Sequence, residues 1–265
     1  METIIRKELK FMMDDAVKAK FLKQALEWMV PDEYYESDIY SVYLDTDQFD
    51  LMRICEGKPD YRFKPRLRAY APVLNSDDTI FFELKKKVEG VSCKRRQLFT
   101  LDSLKDFFRT HESAEPVGRE IACVLDRYTP KPVFSLYAHR FCWVWKDDPT
   151  LRITIDDTLT GRSTSPGLHR CLKEDRPMLK EGMNILEIKC AGNLPLKLSR
   201  LLDKLNIRQA SFSKAGSIYA SVMEERSHSA DRLNASQDCP QRQSEPLRAL
   251  HLRKNERKLP SCPNF

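Results

Sequence analysis

Polar and apolar residues alternate along much of the chain, and this pattern predicts a protein built largely from antiparallel strands. Residues 3–12 form one such strand, with Arg6, Glu8 and Lys10 sharing a face. Asp14 and Asp15 then signal a helix start. Val17, Phe21, Ala25, Leu26 and Met29 recur at helical spacing, predicting a helix from Asp15 to Val30 that Pro31 closes. Further strands are predicted over Tyr40–Leu44, Tyr61–Tyr70, Thr79–Val88 and Cys93–Thr100, separated by turn-forming segments at 56–60 and 75–78. Helices Leu101–His111 and Val117–Tyr128 are expected to cover the sheet from outside. Strands return at Val133–Trp145, Leu151–Ile155 and Asn184–Cys190. A last amphipathic helix, Pro195–Leu205, carries Leu198, Leu201, Leu202 and Leu205, with its proline suited to the first turn. Beyond about Glu225 the composition turns to Ser, Gln, Arg, Asn and Pro without apolar periodicity, which reads as a disordered tail. The expected organisation is one domain over 1–222 and a tail over 223–265, with no internal repeat.

The polar half of the alternation is unusual in its charge. Lys64, Arg66 and Arg68 occupy every second position of one strand, and Glu83, Lys85 and Lys87 do so in the next. The pattern returns at Arg152 and Asp156, and at Glu187 and Lys189. A solvated sheet face also alternates, but it usually mixes Ser, Thr, Gln and both signs, and like charges on neighbouring strands are destabilising without a counter-charge. If the strands close on themselves, Leu67, Phe82, Leu84, Ile153, Ile155, Leu186 and Ile188 pack outward against helices, and the cations line a lumen. An anion with several phosphates would neutralise them. Arginine offers phosphate a planar fork and lysine a compact point charge.

Composition adds bounds. The 265 residues and 41% hydrophobic content suffice for a substantial core, and the net charge of +6 points mildly toward anionic partners. The eight cysteines are scattered without zinc-ligand spacing, and they read as reduced and mostly buried. Neither a secretory signal pattern nor an apolar stretch of membrane-spanning length is present in the sequence, so the expectation is a soluble, cytoplasmic protein without a membrane span of its own. Direct nucleic-acid binding is not expected, because no recognition motif accompanies the charge. Phe141, Trp143 and Trp145 read as outward packing, and Tyr43 and Tyr70 as structural.

The ordered motifs Arg6-Lys-Glu8-Leu-Lys10-Phe11, Tyr43-Leu-Asp45-Thr-Asp47, Lys64-Pro-Arg66-Leu-Arg68-Ala-Tyr70 and Phe82-Glu83-Leu-Lys85 are followed by Lys94-Arg-Arg96, Leu151-Arg152-Ile-Thr-Ile-Asp156, Ile185-Leu-Glu187-Ile-Lys189 and Phe212-Ser213-Lys214. Through them residues 4–219 resemble the polyphosphate polymerase (VTC) domain of the triphosphate tunnel metalloenzymes. The resemblance implies an α+β fold in which eight antiparallel strands close into a tunnel with helices outside. It also implies binding of ATP and inorganic polyphosphate with Mn²⁺ or Mg²⁺, and transfer of the γ-phosphoryl group to a growing chain. The implied catalytic set is Lys10, Arg66, Arg68, Lys85 and Arg152. Lys94, Arg96, Arg140, Ser213 and Lys214 are implied for substrate, Glu187 for metal, and Glu8, Glu83 and Asp156 for the metal's surroundings or for orienting cations. Lys189 reads instead as a paired or solvated lysine.

Two departures from the family pattern matter. The usual opening Glu-x-Glu-x-Lys is Arg6-x-Glu8-x-Lys10 here, one carboxylate fewer, which disfavours a water-activating triphosphatase. The usual Tyr-x-Arg is Tyr137-Ala-His139-Arg140, which leaves open whether His139 or Arg140 enters the tunnel. The alternatives are an inorganic or nucleoside triphosphatase of the same fold, and a non-catalytic polyphosphate or nucleotide sensor that signals to a membrane or surface partner; any coupling of polymer synthesis to transport would require a separate membrane partner.

Overall fold

The computed structural model describes residues 7–89 and 91–237, with side chains as far as 227. Arg6, Cys239, Cys262 and the remaining tail from residue 238 lie outside the described residues. The chain divides into the units Met1–Glu225 and Arg226–Phe265, and of the second only the end of a helix is described.

The elements run β1 (Lys7–Asp14), α1 (Asp15–Ala25), β2 (Met29–Asp45), α2 (Asp50–Glu56), β3 (Tyr61–Ala69), β4 (Thr79–Val88) and β5 (Val91–Thr100). They continue with α3 (Leu101–Thr110), α4 (Pro116–Tyr128), β6 (Lys131–Trp145), β7 (Asp148–Arg162), β8 (Arg176–Pro177), β9 (Met183–Cys190), α5 (Leu196–Lys204) and α6 (Lys214–Gln237). Local chemistry explains the helix starts. Asp14 accepts from the Val17 amide at 2.7 Å to cap α1, Thr100 and Ser103 form a reciprocal capping box on α3, and Pro116 opens α4.

Antiparallel neighbours follow the order β1-β9-β7-β6-β2-β3-β4-β5, with β8 beside β7. The antiparallel sheet with helices outside is as expected, but the expected closed barrel is not closed by hydrogen bonds: no ladder joins β5 to β1 among the described residues. The sheet nevertheless curls back on itself, since Lys85 on β4 reaches Glu8 on β1 at 3.5 Å. Residues 91–96 of β5 are all exposed and include Ser92, Lys94, Arg95 and Arg96, so neither face offers an apolar run to draw that edge against β1.

The outward apolar set packs as alternation predicts. Leu67, Phe82 and Leu84 meet Leu104 and Phe107 of α3 and Ile121 and Leu125 of α4. Ile153, Ile155, Leu186 and Ile188 join Trp143 and Trp145 against Phe21 of α1 and Leu198, Leu201 and Leu202 of α5. Phe82 is fully buried between β4 and α3. Phe82→Ala is expected to lower the unfolding free energy by about 3–5 kcal/mol, read from the denaturant midpoint, because the emptied volume cannot collapse fully.

Part of the inner face is apolar as well. Tyr43, Phe134 and Leu136 pack against Met52 of α2 and against Ala215, Ile218, Tyr219 and Val222 of α6. Ile39, Ala138, Leu159 and Ile185 form a second inward patch. A Cβ at Gly161 would lie 2.6 Å from Ile218 Cδ1, so glycine on β7 is what lets α6 seat this closely.

Several elements differ from expectation. α1 ends at Ala25, and Met29 already pairs with Trp145, so Pro31 lies inside β2 rather than at a helix end. An irregularity between Pro31 and Glu36 absorbs the interruption, and it had masked the front half of that strand. β7 extends well beyond Leu151–Ile155. α2 was not anticipated: its N-terminus is capped by Asp45, which accepts from the amides of Leu51 and Met52 at 2.9 Å each. Pro195 precedes α5 instead of occupying its first turn. α6 was not anticipated either and continues past Glu225 to Gln237. Of the described cysteines, all free, only Cys142 and Cys190 are buried, which corrects the expectation of mostly buried thiols. No helix of the described residues is long and apolar enough to cross a membrane.

Candidate functional site

The curled sheet encloses a cavity of about 350 Å³ to which all eight strands of the path contribute, together with the start of α6. Its lining is dominated by cations, including Lys10, Lys64, Arg66, Arg68, Lys85, Arg140, Lys189 and Lys214, against Glu8 and Glu187. Register explains the convergence. Arg66 lies opposite Glu83 and Lys64 opposite Lys85, so the charged positions of β3 and β4 share the inner face. Lys10 lies opposite Glu187 and Glu8 opposite Lys189 on the other side of the cavity.

Each carboxylate gathers several cations. Glu83, fully buried, accepts from Arg66 Nε at 2.8 Å and lies 3.3 Å from Lys94 Nζ and 3.9 Å from Arg68 Nε. Arg66 also donates from its Nη1 to the Tyr43 hydroxyl at 3.2 Å. Asp156, equally buried, takes Arg140 in a two-pronged pair at 2.6 and 2.9 Å and also holds Lys214. Glu187 lies 3.1 Å from Lys214, 3.5 Å from Lys10, 3.6 Å from Arg140 and 3.9 Å from Lys189. Glu8 joins Lys10 at 3.3 Å to Lys85 at 3.5 Å. Ser213 accepts from the Gly216 amide at 3.1 Å, capping α6 and presenting Ser213 and Lys214 to the cavity.

Burial would push every one of these carboxyls up, but the cations outweigh it. Glu83 is held at about 2 by Arg66, Arg68 and Lys94, and Glu187 well below its ordinary range by Lys214, Arg140, Lys10 and Lys189. Because the folded value of Glu83 is depressed, its contribution to stability is full above the ordinary 4.5 and is lost as pH falls through about 2. The contribution is of order 3 kcal/mol. The gap in unfolding free energy between wild type and Glu83→Gln should therefore narrow between pH 5 and pH 2.

The sequence-predicted residues are not all brought together. Lys10, Arg66, Arg68, Lys85, Arg140, Ser213, Lys214, Glu8 and Glu187 line the cavity. Glu83 and Asp156 lie beneath the cations and orient them, and Lys94 pairs with Glu83 at 3.3 Å without joining the lining. Arg96 stacks its guanidinium 4.6 Å from the Phe81 ring centre instead. Arg152 is half exposed, turned to Asp32 at 3.1 Å and the Cys142 sulfur at 3.3 Å, away from the lining. Lys189, read from sequence as a paired or solvated lysine, is paired with Glu187 but inside the cavity. Burial first, then Arg140, bring it down to about 8 against the pull of Glu187.

Arg62, Lys64 and Lys87 also line the cavity; they continue the same two-residue spacing, but the sequence reading assigned none of them a site role. Lys86 and Arg95 fall on the opposite side of the alternation, and both pair with Glu120 of α4. Arg140, not His139, takes the inward position. One extra residue in β7, Asp157, lets the ladder step from Thr158 opposite His139 to Asp156 opposite Arg140. The His139 ring faces outward between Asp157 at 2.8 Å and Glu36 at 2.9 Å. Burial opposes its protonation, yet those two bonds raise it above its ordinary value.

Among the described residues no group of three or more His, Cys, Asp or Glu side chains converges to hold a metal. Glu8 and Glu187 do present hard oxygen donors to one cavity. This suits Mg²⁺ or Mn²⁺, which commonly bind through one or two carboxylates with substrate phosphates supplying further oxygens.

A family model described as the VTC domain matches residues 5–223, and the chain belongs to that family. No curated protein matches. Among solved structures, a candidate adenylate cyclase from Bacillus halodurans overlaps with a TM-score of 0.44 at 14% identity, covering 80% of this chain and 94% of that one. A protein from Pyrococcus horikoshii, at 0.43 and 14%, covers 82% and 99%. A candidate adenylate cyclase from Vibrio parahaemolyticus, at 0.44 and 12%, also covers 82% and 99%. At such low similarity these overlaps carry no argument, and the assignment rests on the family match.

Proposed function

We propose that the protein is a metal-dependent polyphosphate polymerase that transfers the γ-phosphoryl group of ATP to a growing inorganic polyphosphate chain, releasing ADP. The observation that carries this reading is the cavity itself, where cations from opposite sides converge on a space whose lining holds, among the described residues, the carboxylates of Glu8 and Glu187 alone. Arg66, Arg68 and Lys85 hold the triphosphate. Lys10, Arg140, Lys189 and Lys214 face it across the cavity and neutralise the acceptor chain. Arg152 would first have to leave Asp32 to reach either. Glu187, with Glu8, would hold Mn²⁺ or Mg²⁺, which when bound would supply charge neutralisation at the phosphate oxygens.

The carboxylates favour transfer to phosphate over transfer to water. Glu8, Glu187, Glu83 and Asp156 all lie below their ordinary range, so none is matched to abstract a proton at neutral pH. A terminal phosphate is already anionic and needs no base. In this reading the curled sheet, with Glu8 and Lys85 meeting across its seam, also serves as the channel for the product.

Incubation with γ-labelled ATP and Mn²⁺ or Mg²⁺, with gel resolution of products and an ADP assay, tests it. The expected result is a ladder of labelled polymer with matching ADP. Free phosphate without a ladder replaces the polymerase with a triphosphatase. Ligand-dependent thermal stabilisation without turnover replaces both with a sensor.

A further inference from the structure

Tyr43 reads from sequence as structural, and its ring does pack against Phe134, with centroids 5.1 Å apart. Its hydroxyl, however, is turned into the cavity, where Arg66 donates to it at 3.2 Å. A phenol that accepts from a guanidinium keeps its own O–H free to donate elsewhere. Among the described residues the hydroxyl makes no other hydrogen bond, and Tyr43 lines the cavity together with Arg66, Lys85 and Lys10. We propose that Tyr43 is a substrate-binding residue whose hydroxyl donates a hydrogen bond to a phosphate oxygen held by Arg66, and that this makes anion binding depend on the phenol's protonation. The inference rests on the phosphate-binding reading of this cavity and adds a ligand group to it.

The charge around the ring bears on the second half. Arg66 and Arg68 approach from β3, Lys85 and the buried Glu83 from β4, Lys10 from β1 and Lys214 from the start of α6; Arg140 of β6, Glu187 and Lys189 of β9 and the Cys55 thiol of α2 line the same cavity, and Phe134, Leu136, Phe49 and Met52 pack about the ring. Burial raises the phenol, but Arg66, Arg68 and Lys85 outweigh it and bring Tyr43 down to about 8. Below that value the O–H is a donor to phosphate. Above it the phenolate neutralises Arg66 and repels the ligand. Lys189, also near 8, loses its own positive charge over the same range, so a decline in wild-type binding alone would not identify Tyr43.

Tyr43→Phe separates the two. Binding of inorganic tripolyphosphate is measured calorimetrically for wild type and variant at pH 7 and pH 9 without added metal. The variant should bind about tenfold more weakly at pH 7, having lost a hydrogen bond to a charged acceptor. At pH 9 its Kd should approach that of wild type, because wild type alone then suffers the phenolate penalty of about tenfold per unit above the titration point. Titration of Lys189 and of the ligand is common to both proteins and cancels in the ratio. Equal binding at pH 7, or a ratio unchanged between the two pH values, overturns the proposal. If wild type binds no tripolyphosphate at either pH, the phosphate-binding reading itself falls.

A measurement on the unsubstituted protein guards against a folding defect in the variant. Among the nine tyrosines, tyrosinate absorbance should show a minor early step near pH 8 that saturating tripolyphosphate moves upward. A step that the ligand leaves in place, or the lack of any early step, overturns the titration half.

Discussion

Arg66→Ala is expected to abolish productive phosphate binding, with kcat/KM for ATP falling at least about 100-fold. The same substitution should destabilise the fold by about 3–5 kcal/mol, because Glu83 then remains fully buried without its principal partner. Both effects come from one side chain making three contacts: two nitrogens on Glu83 at 2.8 and 2.7 Å and one on the Tyr43 hydroxyl at 3.2 Å. The double variant Arg66→Ala, Glu83→Gln separates them. It should recover much of the stability, since the orphaned charge is gone, and none of the activity. Activity restored by the second substitution would show that Arg66 only shields Glu83 and does not contact substrate.

Glu187→Gln is the second large effect. Turnover in the presence of Mn²⁺ or Mg²⁺ should fall about 100-fold or more, because the variant loses the carboxylate proposed for the metal. Metal-free tripolyphosphate binding should tighten, since Lys10, Arg140, Lys189 and Lys214 lose the anion they share and gain free charge for the ligand. The two readouts therefore move in opposite directions, which a general folding defect cannot produce. Turnover equal to wild type would remove Glu187 from the metal role.

Glu83 and Asp156 illustrate why some roles were not legible in the chain. Sequence spacing places both on the inner face beside their cations, and that much is seen. Whether a carboxylate looks into a cavity or lies under an arginine depends on neighbours from other strands: Arg66 and Lys94 for Glu83, Arg140 and Lys214 for Asp156. The choice between His139 and Arg140 was hidden for a related reason. It turns on the extra residue Asp157 in the neighbouring strand, which period-two reading of β6 alone has no means of registering. Helix α6 did leave a signal, since Ala215, Ile218, Tyr219 and Val222 keep helical spacing, but the stripe is short and its partners on the inner sheet face lie far away in sequence.

What the sequence by itself determined is the two-sidedness of the sheet. Strand side chains alternate with a period of two, so Leu67, Phe82 and Leu84 must turn to the helices wherever Arg66, Glu83 and Lys85 turn inward. The family follows from the order of those motifs. Tertiary structure alone decided how far the sheet closes, leaving the seam between β5 and β1 to side chains such as Lys85 and Glu8. It also decided that Arg152 turns to Asp32, that α6 delivers Lys214 to Glu187, and that the Tyr43 hydroxyl meets Arg66. Alternation is a property of neighbouring residues in one strand, whereas ion pairing and closure depend on groups that only folding brings within a few ångströms.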